Sequence, residues 1–110
     1  MKKLFAAFTA VVFMLSVSLT AQASFYSETV SGMQCYCSIS GNSIFAYTAG
    51  SGTVTITLTV YNSADNSVGG SGNAGNGYVS VSYTANNIDY VVLTHTQTST
   101  GVSVTRRLYA

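Results

Sequence analysis

The chain has 110 residues, of which 47% are hydrophobic and 6% are charged, and its formal net charge is +1 at pH 7. So few charged residues provide neither a basic stripe for nucleic acid nor an acidic surface for cations, which argues against binding driven by long-range charge. The length fits a single domain.

Residues 1–23 have the pattern of a secretory signal peptide. Two lysines precede an apolar run over residues 4–19, and Ala21-Gln22-Ala23 is a small-x-small cleavage motif. The run is short for a membrane anchor and is followed by a polar, strand-like chain. We therefore expect a bacterial-type secreted protein, periplasmic or extracellular, whose mature chain is residues 24–110 and has no membrane anchor.

The strongest structural signal lies in residues 53–61, where apolar residues and threonines alternate strictly. Such a period of two predicts a half-buried β-strand. Other segments rich in β-branched or aromatic residues are separated by Gly, Asn and Ser, at 24–31, 33–40, 43–49, 78–84, 88–96 and 102–108. About seven strands with such spacing predict an all-β fold, a small antiparallel β-sandwich of immunoglobulin-like type, with a partly open β-barrel as the alternative.

Residues 62–77 interrupt this pattern. The segment contains five glycines and four asparagines, and Val68 and two alanines are its apolar residues. This composition predicts a flexible loop inside the single domain of residues 24–110. Its length is typical of a functional or a disordered segment.

Cys35 and Cys37 form a C-x-C motif on the second predicted strand. Their alternation with Met33 and Ile39 directs both side chains toward the core. Residues two apart on a regular strand are separated by about 6.6 Å, whereas a disulfide requires Cβ atoms within roughly 4.5 Å. We therefore expect two buried thiols, and the alternatives are a strained, redox-active disulfide at a bulge and an intermolecular bond.

This C-x-C on an early strand is similar to one in the immunoglobulin-like accessory proteins of curli assembly, a likeness of three residues. The alternative function is a thiol-redox protein, if Cys35 and Cys37 form the strained disulfide as a redox pair, or a fibre-assembly accessory protein, as the resemblance implies.

The sequence provides few candidates for catalysis. His95 is the only histidine, and no serine lies in a G-x-S-x-G elbow that could join it and Asp89 in a triad. We expect His95 to be a half-exposed sheet residue. One histidine and two closely spaced cysteines do not make a zinc signature. The sequence therefore predicts no catalytic residue, no metal site and no cofactor.

Rows of threonine are the candidate binding surface. Thr53, Thr55, Thr57 and Thr59 share one strand face, and residues 94–100 carry a second row. Neighbouring rows in register would form a flat hydroxyl and methyl surface for ice or a glycan, although threonine also simply suits a solvated strand face.

These features together predict a secreted, non-enzymatic β-sandwich protein with a binding, adhesion or surface-structural role. Its partner is an unidentified protein or glycan and not nucleic acid. Near-zero net charge and the lack of proline favour strand pairing between molecules, so the protein is either a monomer or self-associates through edge strands. We expect Arg106 and Arg107 to guard an exposed edge on the last strand.

Overall fold

A computed structural model describes residues 24–64 and 66–110, and strands account for 79% of them. The described part of the chain contains six strands and no helix, which confirms the predicted all-β, antiparallel class. It therefore contains no helix able to cross a membrane. The predicted signal peptide, residues 1–23, lies outside the described residues. The strands are β1 (Ser24–Val30), β2 (Met33–Ser40), β3 (Ser43–Tyr61), β4 (Ser67–Thr84), β5 (Tyr90–Gln97) and β6 (Val102–Tyr109).

All six strands belong to one antiparallel sheet in the order β1-β2-β3-β5-β6, and β4 pairs with the other edge of β3. The first half of β3 pairs with β2 and its second half pairs with β5. The two halves of the sheet therefore share the long strand β3. At the seam, β1 approaches β6, and the sheet is nearly closed into a barrel, as in the alternative prediction.

The long strand β3 explains why the described residues contain six strands and not seven. The predicted strands at 43–49 and 53–61 form one strand of 19 residues. A shift in register between Ala49 and Thr53 marks a bulge, and Gly52 has a φ of +70° there. The buried side chain of Gln97 holds this bulge, because its Oε1 accepts a hydrogen bond of 2.8 Å from the backbone N–H of Ser51.

The prediction of a loop over residues 62–77 is wrong from Ser67 onward, where β4 begins. Gly70 and Gly72 pair with Thr59 and Thr57 of β3. Backbone ladder hydrogen bonds do not depend on side chains, so a glycine-rich segment forms a strand when a long partner strand is present. Gly70 also allows close approach, since a Cβ atom there would lie 2.5 Å from the carbonyl oxygen of Leu58.

The core fills the inner face of the curved sheet. As the alternation predicts, the threonines of 53–61 lie on the outer face, and the buried residues between them are Val54, Ile56, Leu58 and Val60. A smaller apolar cluster of Met33, Cys35 and Val104 packs near the seam. The main cluster includes Cys37, Ile39, Ile44, Ala46, Val54, Ile56, Leu58, Val60, Val79, Val81, Val91 and Leu93.

Candidate functional site

Aromatic side chains form a continuous strip on the outer face of β1, β2, β3 and β4. The members of this aromatic strip are Phe25, Tyr36, Phe45, Tyr47 and Tyr78. Tyr36 stacks on Tyr47 with ring centroids 5.1 Å apart, and Tyr47 lies 5.5 Å from Tyr78. Phe25 and Phe45 flank Tyr36 with centroids at 6.5 and 6.3 Å. Phe25 is 64% exposed and Tyr78 is 51% exposed, so much of this apolar surface faces solvent.

Strand alternation and register place these rings together. Phe45 and Tyr47 have the opposite parity to the buried Ile44 and Ala46, so they face outward. Tyr36 lies directly opposite Tyr47 in the ladder between β2 and β3. The sequence analysis missed the strip, although the parity of Phe45 and Tyr47 was a visible signal. Which rings of β2 and β4 lie beside Phe45 and Tyr47 could not be predicted, because the register between these strands was not known from the sequence.

Serine hydroxyls lie between the rings of the aromatic strip. One row across the sheet reads Phe25, Ser38, Phe45, Ser82, and the next reads Ser27, Tyr36, Tyr47, Ser80. Each row therefore combines apolar ring faces with hydroxyl groups and contains no charged side chain.

The threonine surface lies on the outer face of β3, β5 and β6 and consists of Thr53, Thr55, Thr57, Thr59, Thr94, Thr96, Ser103 and Thr105. The two predicted threonine rows are neighbours, because Thr57 pairs with Thr94 and Thr55 pairs with Thr96. Thr94 Oγ1 lies 3.1 Å from Thr105 Oγ1, so the hydroxyl ladder continues onto β6. Several of its members are only half-exposed, among them Thr55, Thr59, Thr94 and Thr96.

The two arginines lie near the seam of the barrel. Arg106 donates from Nε and Nη2 to both carboxylate oxygens of Glu28 on β1, at 2.6 and 3.1 Å. The guanidinium of Arg107 lies 4.5 Å from the ring centroid of Tyr90. Both side chains therefore contact groups of their own molecule, and these groups lie on β1 and β5 and not on β4.

A buried polar cluster crosses the interior of the barrel. His95 Nδ1 lies 2.7 Å from Thr48 Oγ1, and the Thr48 hydroxyl donates to the carbonyl oxygen of Thr55. A hydroxyl has one proton, so Thr48 must accept from Nδ1–H, and Nε2 of the neutral imidazole must accept from the Tyr26 hydroxyl at 2.6 Å. Every polar atom of the imidazole therefore has a partner.

The prediction that His95 is half-exposed is wrong, because its side chain is 0% exposed. Burial, with a smaller effect of Arg106, lowers the pKa of His95 from 6.5 to about 4. Burial, followed by the nearby Cys37 and Cys35, raises the pKa of Tyr26 well above its usual value. Both groups are therefore neutral at pH 7, and their hydrogen bonds make the burial tolerable.

Cys35 and Cys37 are free thiols and are 1% and 0% exposed, which confirms that the alternation directs both toward the core. Burial raises the pKa of Cys35 to about 11 and that of Cys37 to about 12. Because the thiolate is the reactive form, these surroundings suppress thiol chemistry in the folded protein.

No three His, Cys, Asp or Glu side chains in residues 24–64 and 66–110 are grouped so that they could hold a metal ion. Comparison of the chain with protein-family models, with curated proteins and with solved structures gives no match.

Proposed function

We propose that this protein is a secreted, non-enzymatic binding protein with an adhesive or surface-structural role, and that it binds a neutral glycan chain through the aromatic strip. The observation that carries the proposal is the exposure of the strip, where Phe25, Phe45 and Tyr78 are 64%, 39% and 51% exposed. Contiguous exposed apolar surface on a small domain marks an interaction site.

The composition of the strip favours a glycan over a purely apolar partner. A pyranose ring has a face of C–H groups that packs on an aromatic ring, and hydroxyls at its edge that seek hydrogen bonds. Rings and serine hydroxyls alternate across the strip, as in the row of Tyr36, Tyr47 and Ser80. Since the strip has no charged side chain, a neutral chain fits it better than an acidic one.

The interior of the barrel supports a non-enzymatic role. The imidazole of His95 has both nitrogens occupied by Tyr26 and Thr48 and is closed from solvent. A general base must instead reach a substrate proton. The raised pKa values of the Cys35 and Cys37 thiols, about 11 and about 12, likewise weigh against the alternative of a thiol-redox protein.

The test is depletion of the secreted protein from solution by insoluble cellulose, chitin and xylan. Replacing Tyr36 and Tyr47 together by alanine should weaken binding at least tenfold, since stacked rings contribute most of the contact area. The matched control replaces Thr57 and Thr94 by alanine on the threonine surface and should bind like the wild type. Equal binding by the ring variant would exclude the strip, and no binding by the wild type would exclude these neutral glycans.

A second candidate function, ice binding, is favoured by the register of the threonine surface. Thr57, Thr94 and Thr105 lie side by side on three adjacent strands. We propose testing it by thermal hysteresis and ice recrystallisation with the wild type and Thr57→Lys. Activity that Thr57→Lys abolishes would support this function, and an inactive wild type would eliminate it.

A further inference from the structure

One edge of the sheet has no partner strand among the described residues. Strand β4 pairs with β3 from Ser67 opposite Tyr61 to Thr84 opposite Ser43. Its second edge pairs with no other described strand, whereas the outer edges of β1 and β6 face each other at the seam. This edge of β4 therefore has no partner strand, although the N–H of Ala74 and the carbonyl oxygen of Ser80 bond to the side chain of Asn73 at 3.0 and 3.5 Å, contacts that another strand would have to displace.

The edge of β4 lacks two of the features that normally prevent pairing, charged side chains and proline. Native proteins protect edge strands with charged side chains or proline. The 18 residues of β4 contain neither. The charged side chains that the structure describes, Glu28, Asp89, Arg106 and Arg107, all lie on or beside other strands. The unprotected edge of the sheet is thus that of β4 and not that of the last strand, β6.

We propose that β4 pairs antiparallel with β4 of a second copy of this chain, about a two-fold axis at Asn76. In this register Tyr78 lies opposite Ala74, Ser80 opposite Gly72, and Ser82 opposite Gly70. The half of β4 with large side chains therefore meets the half with small ones. The irregularity at Gly77, which has a φ of +81°, lies beside the axis, where Gly77 meets Gly75 of the second copy. The outer faces of the two copies lie on the same side of the combined sheet, because this register places even-numbered residues opposite even-numbered residues. A shift by one residue would turn one outer face to the opposite side.

The second copy is favoured over another extended chain for two reasons. Identical edges without charge do not repel each other, and the register pairs residues 68–84 of β4 with the same residues of the second copy. Such an isologous contact occupies the edge on both copies, so assembly stops at a dimer and does not continue into a fibre. The dimer also places two aromatic strips on the same face of a continuous sheet.

Sedimentation velocity of the secreted protein over a range of concentrations tests this proposal. The wild type should form a dimer. Asn76→Lys places two like charges side by side at the axis and should raise the dimer dissociation constant on the order of fivefold at low salt, and Asn76→Asp should act similarly. Mixing the two variants should restore a heterodimer, because the opposite charges attract. Ser103→Lys, an exposed site of equal charge change on β6, should dimerise like the wild type.

Three results would overturn the proposal. A wild type that is monomeric at the highest concentrations leaves the edge unpaired. A dimer that Asn76→Lys does not weaken must use another surface. Fibres instead of dimers require a second interface, such as the open seam between β1 and β6.

Discussion

The hydroxyl of Tyr26 lies 2.6 Å from Nε2 of His95, a residue 69 positions later in the sequence. Tyr26 is on β1 and His95 is on β5, and the two rings meet edge to face at 5.8 Å. The bond therefore crosses the interior of the nearly closed sheet. Together with the ion pair between Arg106 and Glu28, it links β1 to the half of the sheet formed by β5 and β6.

His95 should make stability depend on pH. Its pKa in the folded protein is about 4, below the ordinary value of 6.5. The unfolded chain therefore binds a proton between these values that the folded protein does not. This contribution is fully present above pH 6.5 and is lost as the pH falls toward 4. We expect the free energy of unfolding to fall by about 2 kcal/mol between pH 7 and pH 5, measured by urea denaturation.

The matched control for this pH effect is His95→Gln, which has no titratable group in that range. Its free energy of unfolding should be lower at pH 7 but nearly constant from pH 7 to pH 5. If the variant shows the same slope as the wild type, another group is responsible.

Tyr26→Phe should destabilise the protein by about 1–3 kcal/mol, because it leaves the buried Nε2 of His95 without a donor. Tyr36→Phe removes the same hydroxyl from a half-exposed ring on the outer face and should change the free energy of unfolding by less than about 0.5 kcal/mol. Thermal or urea denaturation of both variants provides the comparison. Equal effects would show that the bond across the barrel contributes no net stability.

Gly70 and Gly72 provide a test of the paired strand in a segment that resembles a loop. A methyl group at Gly70 would meet the carbonyl oxygen of Leu58 at 2.5 Å, while one at Gly72 would make ordinary contacts at 3.5 Å. We expect Gly70→Ala to cost about 1–3 kcal/mol and Gly72→Ala to change stability by less than about 1 kcal/mol. If both are neutral in urea denaturation, this half of β4 does not pair with β3 in solution.

The thiols should react only when the protein unfolds. In native conditions near pH 8, alkylation of Cys35 and Cys37 should be slow, because both are buried and protonated. In denaturant without reductant, mass spectrometry should show both labelled. An unlabelled protein with a mass lower by two hydrogens would demonstrate a disulfide and favour the redox alternative, and a covalent dimer would indicate intermolecular pairing.

The local alternation of residues was sufficient for the strand faces. Val54, Ile56 and Leu58 are buried and the threonines between them lie outside, because successive side chains on a strand point to opposite faces. The same period directed Cys35 and Cys37 inward. The same alternation predicts that Phe45 and Tyr47 face outward. That they belong to an aromatic strip could be recognised only once the neighbouring strands were known.

By itself, the sequence determined the all-β class, the two faces of its strands and the burial of both cysteines, since these depend on a period of two along one segment. Only the tertiary structure decided which strands are neighbours. Register between distant segments joined Tyr36 to Tyr47, aligned Thr57 with Thr94, and turned the glycine-rich segment into β4. The burial of His95 was decided in the same way, because its hydrogen-bond partners, Tyr26 and Thr48, come from strands far away in the chain.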